Sequence, residues 1–307
     1  MSAPLVSILI PAFRAGRYIT ETLMSVGGQA YPTWEVLVYE DGVTDDTSAR
    51  VAAFAATTTQ SVRLFQNPTN RGVSYARNAL LREARGEFVA FLDADDIWDR
   101  DHLATAAEKF SAGADVTFSG VTFIDADGRI IPGAAEPSAA ALADIARAMF
   151  RYNFVQCTST LCLRRSWITR VGDFDPALSH GEDLDLWLRL LAAGAKWQYT
   201  GRTSCAYRKH PNSAMGQIRL ATSRLTAFYE KQLSNPIVPY RERRQALIDN
   251  LWSQARFCWR AEPAAARAAL RRITQLQPWN LAALGGWGFT AVRSWFVRPR
   301  TSSLHRA

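Results

Sequence analysis

Cysteine is scarce and unpatterned in this chain. Its four copies, Cys157, Cys162, Cys205 and Cys258, form no Cys-x-x-Cys spacing and have no accompanying histidine pattern, so they read as buried thiols in a reducing, cytoplasmic compartment. The N-terminus offers no secretory signal: Met1-Ser2-Ala3-Pro4 has no basic residue, and the apolar run over residues 5–10 is too short for a signal core. No long apolar run replaces it. Residues 279–297 carry Trp287, Phe289, Trp295 and Phe296 but are broken by three glycines and Arg293, which disfavours a membrane span. Neither a fixed-period repeat nor a low-complexity segment is found. What remains is a globular composition, 48% hydrophobic and 21% charged over 307 residues, enough for one large domain with an appendage or two modest ones.

Charge is unevenly spread. The net charge of +8 conceals a tail, residues 241–307, with twelve arginines, no lysine and three acids, a net +9 against −1 for residues 1–240. These arginines lie on predicted helices without a nucleic-acid recognition motif, so no nucleic-acid partner is expected. Peripheral contact with an anionic membrane, with Trp287 and Trp295 at the interface, is the functional alternative to plain solvated helix faces. A dimer-forming tail is the third.

Apolar, β-branched runs at residues 5–10, 35–39, 62–66 and 87–92 alternate with helical patterns at 18–26, 45–56 and 73–85. Such alternation signals an α/β domain with a largely parallel sheet. Further along, helices are expected at 101–110, 139–151 and 181–193, and strands at 155–163, 196–199 and 204–207. From about residue 213 the pattern is helical only, with helices at 218–233, 243–260 and 263–276. The expected organisation is therefore an α/β domain over residues 1–212 and an Arg-rich helical extension over 213–307.

Phe88-Val89-Ala90-Phe91-Leu92-Asp93-Ala94-Asp95-Asp96 drives an apolar strand into three carboxylates with no cation near in sequence. Burying such charge unpaired costs several kcal/mol, roughly, per ion, and a hard divalent cation such as Mg or Mn resolves the conflict. Asp-x-Asp spacing alone proves little, since it recurs at Asp125/Asp127, Asp173/Asp175 and Asp183/Asp185. Asp127-Gly128 lies between apolar runs and reads as a hairpin turn, and Gly172 to Pro176 reads as a loop. An EF-hand is excluded because its sixth loop position is Trp98 rather than glycine.

In an open α/β sheet the ligand binds beyond the carboxyl ends of the strands. Neither Gly-x-Gly-x-x-Gly nor a Walker loop follows the first strand, which argues against a dinucleotide or P-loop enzyme. The strand ends instead carry Pro11-Ala12-Phe13-Arg14 and Tyr39-Glu40-Asp41-Gly42. An aromatic ring and a carboxylate suggest a nucleobase pocket, with Phe13 on the base and Asp41 accepting a base N–H. A core ring and a turn-forming aspartate are the structural alternatives.

Taken in order, residues 6–13, 39–45, Asn70-Arg71-Gly72-Val73-Ser74-Tyr75-Ala76-Arg77-Asn78, Phe91 to Asp96, Gly181-Glu182-Asp183-Leu184-Asp185-Leu186-Trp187 and Tyr207-Arg208-Lys209-His210-Pro211 resemble the signature of the family 2 glycosyltransferases over about residues 4–215. The resemblance implies a GT-A fold, a Rossmann-like mixed α/β sheet flanked by helices. It also implies a nucleotide-sugar donor, UDP-linked, and inversion at the anomeric carbon. The acceptor would be a glycan or lipid-linked hydroxyl of cell-envelope or extracellular polysaccharide synthesis, reached from the inner face of the cytoplasmic membrane.

By the same resemblance Phe13 and Asp41 hold the base, Asp93 the ribose and Asp95 the metal, Mn or Mg. Arg77 and Asn78 face the donor phosphates, and His210 lies near the diphosphate or the metal. Pro11 and Ala94 join the donor site as members of the same motifs. Asp183 is the implied general base, with Glu182 second. Glu40, Val43 and Arg14 depart from the usual Asp, Ser and Asn, so the reaction type transfers better than the nucleotide base. A haloacid-dehalogenase-type phosphatase with Asp93 as nucleophile is disfavoured, because no strand precedes Gly181-Glu182-Asp183. A non-catalytic binding module has no need of both Asp95 and Asp183.

Overall fold

The computed structural model describes residues 3–43, 45–210 and 218–280, which fall into two compact units. One comprises residues 3–210 with Asn235–Val238, the other residues 218–234 and 239–280. The expected boundary between residues 212 and 213 lies outside the described residues.

The first unit begins as three β-α repeats: β1 (Val6–Ala12), α1 (Ile19–Gly27), β2 (Trp34–Asp41), α2 (Thr47–Ala55), β3 (Ser61–Asn67), α3 (Val73–Glu83) and β4 (Phe88–Phe91). β1 lies parallel to both β2 and β4, and β2 parallel to β3. Strands covered on both faces need continuous apolar runs rather than alternation. β4 is buried throughout, and Val36, Leu37 and Val38 of β2 are fully enclosed.

After β4 the pattern changes. There follow β5 (Ile97–Trp98), α4 (His102–Ser111), β6 (Val116–Ile124), β7 (Ile130–Ala135), α5 (Ala139–Ala143), α6 (Ile145–Tyr152), β8 (Leu161–Arg164), α7 (Ser166–Val171), α8 (Glu182–Ala192) and β9 (Trp197–Arg208). The nine-stranded sheet runs β3-β2-β1-β4-β8-β6-β9-β5, with β7 paired to β6. β8 is antiparallel to β4 and to β6, so the parallel half continues into a mixed half.

Several local expectations needed adjustment. The helix over 139–151 is two helices broken at Asp144, whose side chain accepts from the Arg147 N–H and so starts the second. The strand over 155–163 shrinks to four residues preceded by a 3-10 turn at Thr158–Thr160. The two predicted strands at 196–199 and 204–207 are one long strand, β9, with register shifts where it follows β6. The Asp127-Gly128 hairpin forms as expected, with Asp125 accepting from the Asp127 and Arg129 N–H groups.

The second unit contains α9 (Ile218–Gln232), α10 (Tyr240–Cys258) and α11 (Pro263–Leu276). Leu247, Leu251, Leu270 and Ile273 form its core. Pro263 sits in the first turn of α11, where its missing N–H costs nothing. Arg272 grips Glu230 with two hydrogen bonds of 2.6 and 2.8 Å. No helix among the described residues is long and apolar enough to cross a membrane.

Candidate active site

β4 delivers Asp93, Ala94, Asp95 and Asp96 to the carboxyl edge of the parallel strands, and their environments differ. Asp96 is fully buried, accepting from Ser159 Oγ at 2.5 Å and from the Arg208 N–H at 3.0 Å. Burial, with Asp95 and then Asp93 adding to it, holds its carboxyl well above the usual range. Asp96 is thus a structural post. Ala94 is buried beside it.

Asp93 and Asp95 stay partly open. Asp95 meets His210 Nε2 at 2.9 Å, and its pKa is raised by burial and by Asp93 against the lowering pull of His210. Asp93 is not the unpaired acid that the linear sequence suggests: Arg77 Nη2 stands 2.8 Å from its Oδ1, and its N–H donates to Ser159 Oγ.

Arg77 projects from α3 and is only 5% exposed. Besides Asp93 its guanidinium reaches Glu182 Oε1 at 3.1 Å and Thr158 Oγ1 at 3.1 Å, and it lies over the Phe174 ring. One cation therefore joins the end of β4 to the start of α8. Asp183 follows Glu182 at that start. It is half-buried, and burial first, then Glu182, push its carboxyl up to about 6, with Arg77 acting against them.

α8 is held in place from several sides. Gly181 precedes it at φ 76°, a left-handed conformation that strains other residues. Arg189 pairs with the buried Asp185 at 2.9 Å and donates to the carbonyls of Val171, Gly172 and Asp173.

Asn78, expected to face the donor phosphates, is held by the Phe174 backbone. Its amide donates to the Phe174 carbonyl at 2.7 Å and accepts from the Phe174 N–H at 2.9 Å. A buried carboxamide engaged on both sides is a clamp on the loop before α8.

At the β1 and β2 edge, Pro11 pairs in register with Tyr39. Phe13 is 46% exposed, which removes the core-ring alternative. Gly42 lies at φ 100°, a backbone conformation that strains other residues, and a Cβ there would come 3.2 Å from the Phe13 ring, which would have to shift slightly. Asp41 is buried and accepts from the Arg71 N–H at 2.9 Å and the Gly72 N–H at 2.7 Å. Its carboxylate organises this loop first; with roughly four lone-pair sites, it retains capacity for one more donor. Arg14, at φ 53°, occupies a left-handed conformation and sets its guanidinium 5.0 Å from the Phe13 ring centre.

The residues present suit a hard divalent cation at Asp95. A half-open carboxylate and an imidazole stand together beside a second acid, Asp93, an oxygen and nitrogen donor set that suits such an ion. Among the described residues the three-ligand cluster Asp96, Cys157 and Cys205 is buried and thiol-rich, a poor match for Mg or Mn. Its two sulfurs are 4.0 Å apart, and burial raises both thiols. All four cysteines are buried thiols.

Three contributors escaped sequence reasoning. Arg208, 1% exposed, donates to the Asp95 carbonyl, to the turn at Asp125 and Ala126, and to Glu21. Its only sequence signal was its place between Tyr207 and His210. Ser159 and Phe174 carried no signal, because each acts through contacts with residues 63 to 96 positions away.

The glycosyl transferase family 2 model matches residues 7–172, more than half of the chain, and the chain belongs to that family. Among curated relatives, the Escherichia coli UDP-Glc:alpha-D-GlcNAc-diphosphoundecaprenol beta-1,3-glucosyltransferase WfgD is 40% identical over 99 residues, covering 32% of this chain and 38% of that protein. WfaP, an E. coli protein of the same description, is 29% identical over 210 residues, covering 68% and 79%. E. coli chondroitin synthase is 29% identical over 193 residues, 62% of this chain but 27% of that protein. The match thus spans well under half the length of WfgD and of chondroitin synthase.

Among solved structures, S. aureus TarS 1–349 in complex with UDP superposes with TM-score 0.63 at 20% identity, covering 95% of this chain and 90% of that one. Mannosyltransferase PcManGT from Pyrobaculum calidifontis, in complex with GDP-Man and Mn2+, superposes with TM-score 0.58 at 21% identity, covering 96% and 84%. These likenesses show the fold, a mixed α/β GT-A architecture.

Proposed function

We propose that the protein is an inverting glycosyltransferase that moves a sugar from a nucleotide-diphosphate donor, UDP-linked, to a hydroxyl of a glycan or lipid-linked acceptor in cell-envelope or extracellular polysaccharide synthesis. The observation that carries this reading is the Arg77 bridge. It places the acids of the β4 edge and the acids of the α8 start around one buried cation.

Asp183 is the general base. A carboxyl raised to about 6 is ionised near neutral pH yet more basic than an ordinary carboxylate, which suits proton abstraction. The acceptor oxygen bonds to the anomeric carbon as the carbon–oxygen bond to the diphosphate breaks, and the hydroxyl proton passes to Asp183. Attack opposite the leaving group inverts the centre. Phe13 offers its face to the base, with Pro11 and Asp41 forming the edge of that pocket, and Asp93 lies nearest the ribose. Asp95 and His210 would hold Mn or Mg, which when bound offsets the negative charge growing on the leaving diphosphate. The lipid-linked acceptor rests on the names of relatives such as WfgD. It agrees with peripheral membrane contact through the Arg-rich C-terminal helices; a homodimer through them is the competing arrangement.

The test is a panel of nucleotide sugars with purified protein and Mn or Mg, reading nucleoside diphosphate release and product anomer. Release from one donor with inverted product, abolished in Asp183→Asn while donor binding remains, is the expected result. No release from any donor, with donor binding intact, would favour a non-catalytic binding module; loss of donor binding in Asp183→Asn would remove the base assignment.

A further inference from the structure

In the helical unit, the last turns of α10, the turn that follows and Leu270 of α11 line an open cavity of about 690 Å³. Trp252, Trp259 and Leu270 supply its apolar walls, and Arg256, Phe257 and Arg260 also line it. That volume lies within the ~300–1,000 Å³ of sites that enclose small ligands. No acid is among its described lining residues.

Several arginines of this unit have partners within it. Arg243 donates to the Gln232 and Leu233 carbonyls, Arg244 to the Leu276 carbonyl, and Arg272 to Glu230. Arg256 and Arg260 are exposed and, among the described residues, have no hydrogen-bond or ion-pair partner. They lie four positions apart, Arg256 in the last turn of α10 and Arg260 two residues past its end, and both line this cavity, where one shared anion would offset their like charges. Beside them Phe257 is 39% exposed. An anion alone would engage the arginines and leave the aromatic walls unused. A purely apolar ligand would leave the arginines unused.

We propose that this cavity takes one acyl chain of an anionic bilayer phospholipid, with the lipid phosphate held between Arg256 and Arg260. This rests on the membrane contact proposed above for the C-terminal helices and gives it a lipid-binding site. A single seated lipid fixes the helical unit at the surface more specifically than diffuse attraction of the basic tail, which salt screens.

The experiment titrates the full chain by calorimetry, at raised salt, with short-chain phosphatidylglycerol kept below its micelle-forming concentration. Phosphatidylcholine of the same chain length and glycerophosphoglycerol, the headgroup without chains, serve as comparators. Saturable binding of phosphatidylglycerol alone is expected, weakened about tenfold or more in the double variant R256E/R260E. Ala261→Trp, at an exposed lining position, should block the chain and weaken binding while both arginines remain. Nucleotide release from the donor is read in the same preparations and should not change.

Equal binding of both lipids, full competition by the chain-free headgroup, or undiminished affinity in R256E/R260E would overturn the inference. Loss of lipid selectivity with donor turnover intact counts against this site alone. Absent turnover in the native chain with selective lipid binding counts against the transferase reading alone.

Discussion

Arg77 and Glu182 are 105 residues apart in the chain, yet their side chains meet at 3.1 Å. The same guanidinium holds Asp93 at 2.8 Å. Removing this cation leaves two acids without their partner in a partly buried site. Arg77→Met should therefore lower unfolding stability by about 3 kcal/mol, read from the chemical denaturation midpoint. Arg77→Lys should recover only part of the loss, because an ammonium lacks the planar fork that reaches both acids.

Asp183 should show a trade between stability and activity. Its folded-state carboxyl, at about 6, lies above the ordinary 3.8. The folded protein thus binds this proton more tightly than the unfolded chain, and ionisation costs stability. That cost is absent below the unfolded pKa, grows between the two values and is complete above about pH 6. Asp183→Asn should gain about 1–3 kcal/mol at neutral pH while losing transfer. Thermal unfolding at pH 4 and pH 7.5 checks it: the gain should appear only at the higher pH.

Glu182 is the like charge that helps to raise Asp183. With a Glu182→Gln variant, the acid limb of the kcat/KM profile should move to lower pH, since Asp183 would ionise more readily. An unmoved limb would mean that another group controls it.

Asp95 and His210 should decide the metal response. Thermal stabilisation by donor with Mn should require both partners and be reversed by chelation, because a ligand that binds only the folded state stabilises by mass action. Asp95→Asn should abolish the increment and His210→Ala should reduce it. An unchanged increment in Asp95→Asn would place the cation elsewhere.

Arg14 stands in a left-handed conformation that a long side chain tolerates poorly. Arg14→Asn should raise stability by about 0.5–1 kcal/mol, less the lost contact with Phe13. Denaturation with and without donor would separate the backbone gain from any effect on base binding.

The legible parts of the site were those whose meaning is local. An apolar run ending in carboxylates announces β4 and its acids, and Asp127-Gly128 announces its hairpin, because both depend on neighbours a few positions away. The clamp that Asn78 makes was not legible, because its partner, the Phe174 backbone, lies 96 residues on. Arg208 was missed because an arginine after a strand gives no hint that it will be buried beneath Asp95. The single expected helix at 139–151 failed at Asp144, where a side-chain cap overrides helical periodicity.

The sequence by itself determined the β-α alternation, the ordered motifs that mark the family, and the residue types at each strand end, since these follow from periodicity and short-range chemistry. Only the tertiary structure decided which of the three acids after β4 does what. Asp96 is buried on Ser159 and the Arg208 backbone, Asp93 is paired with Arg77, and Asp95 remains beside His210 at a partly open edge. Three adjacent carboxylates are alike in one dimension. Their partners come from α3, the turn before β8, and the end of β9, and burial with pairing sets what each carboxylate can do.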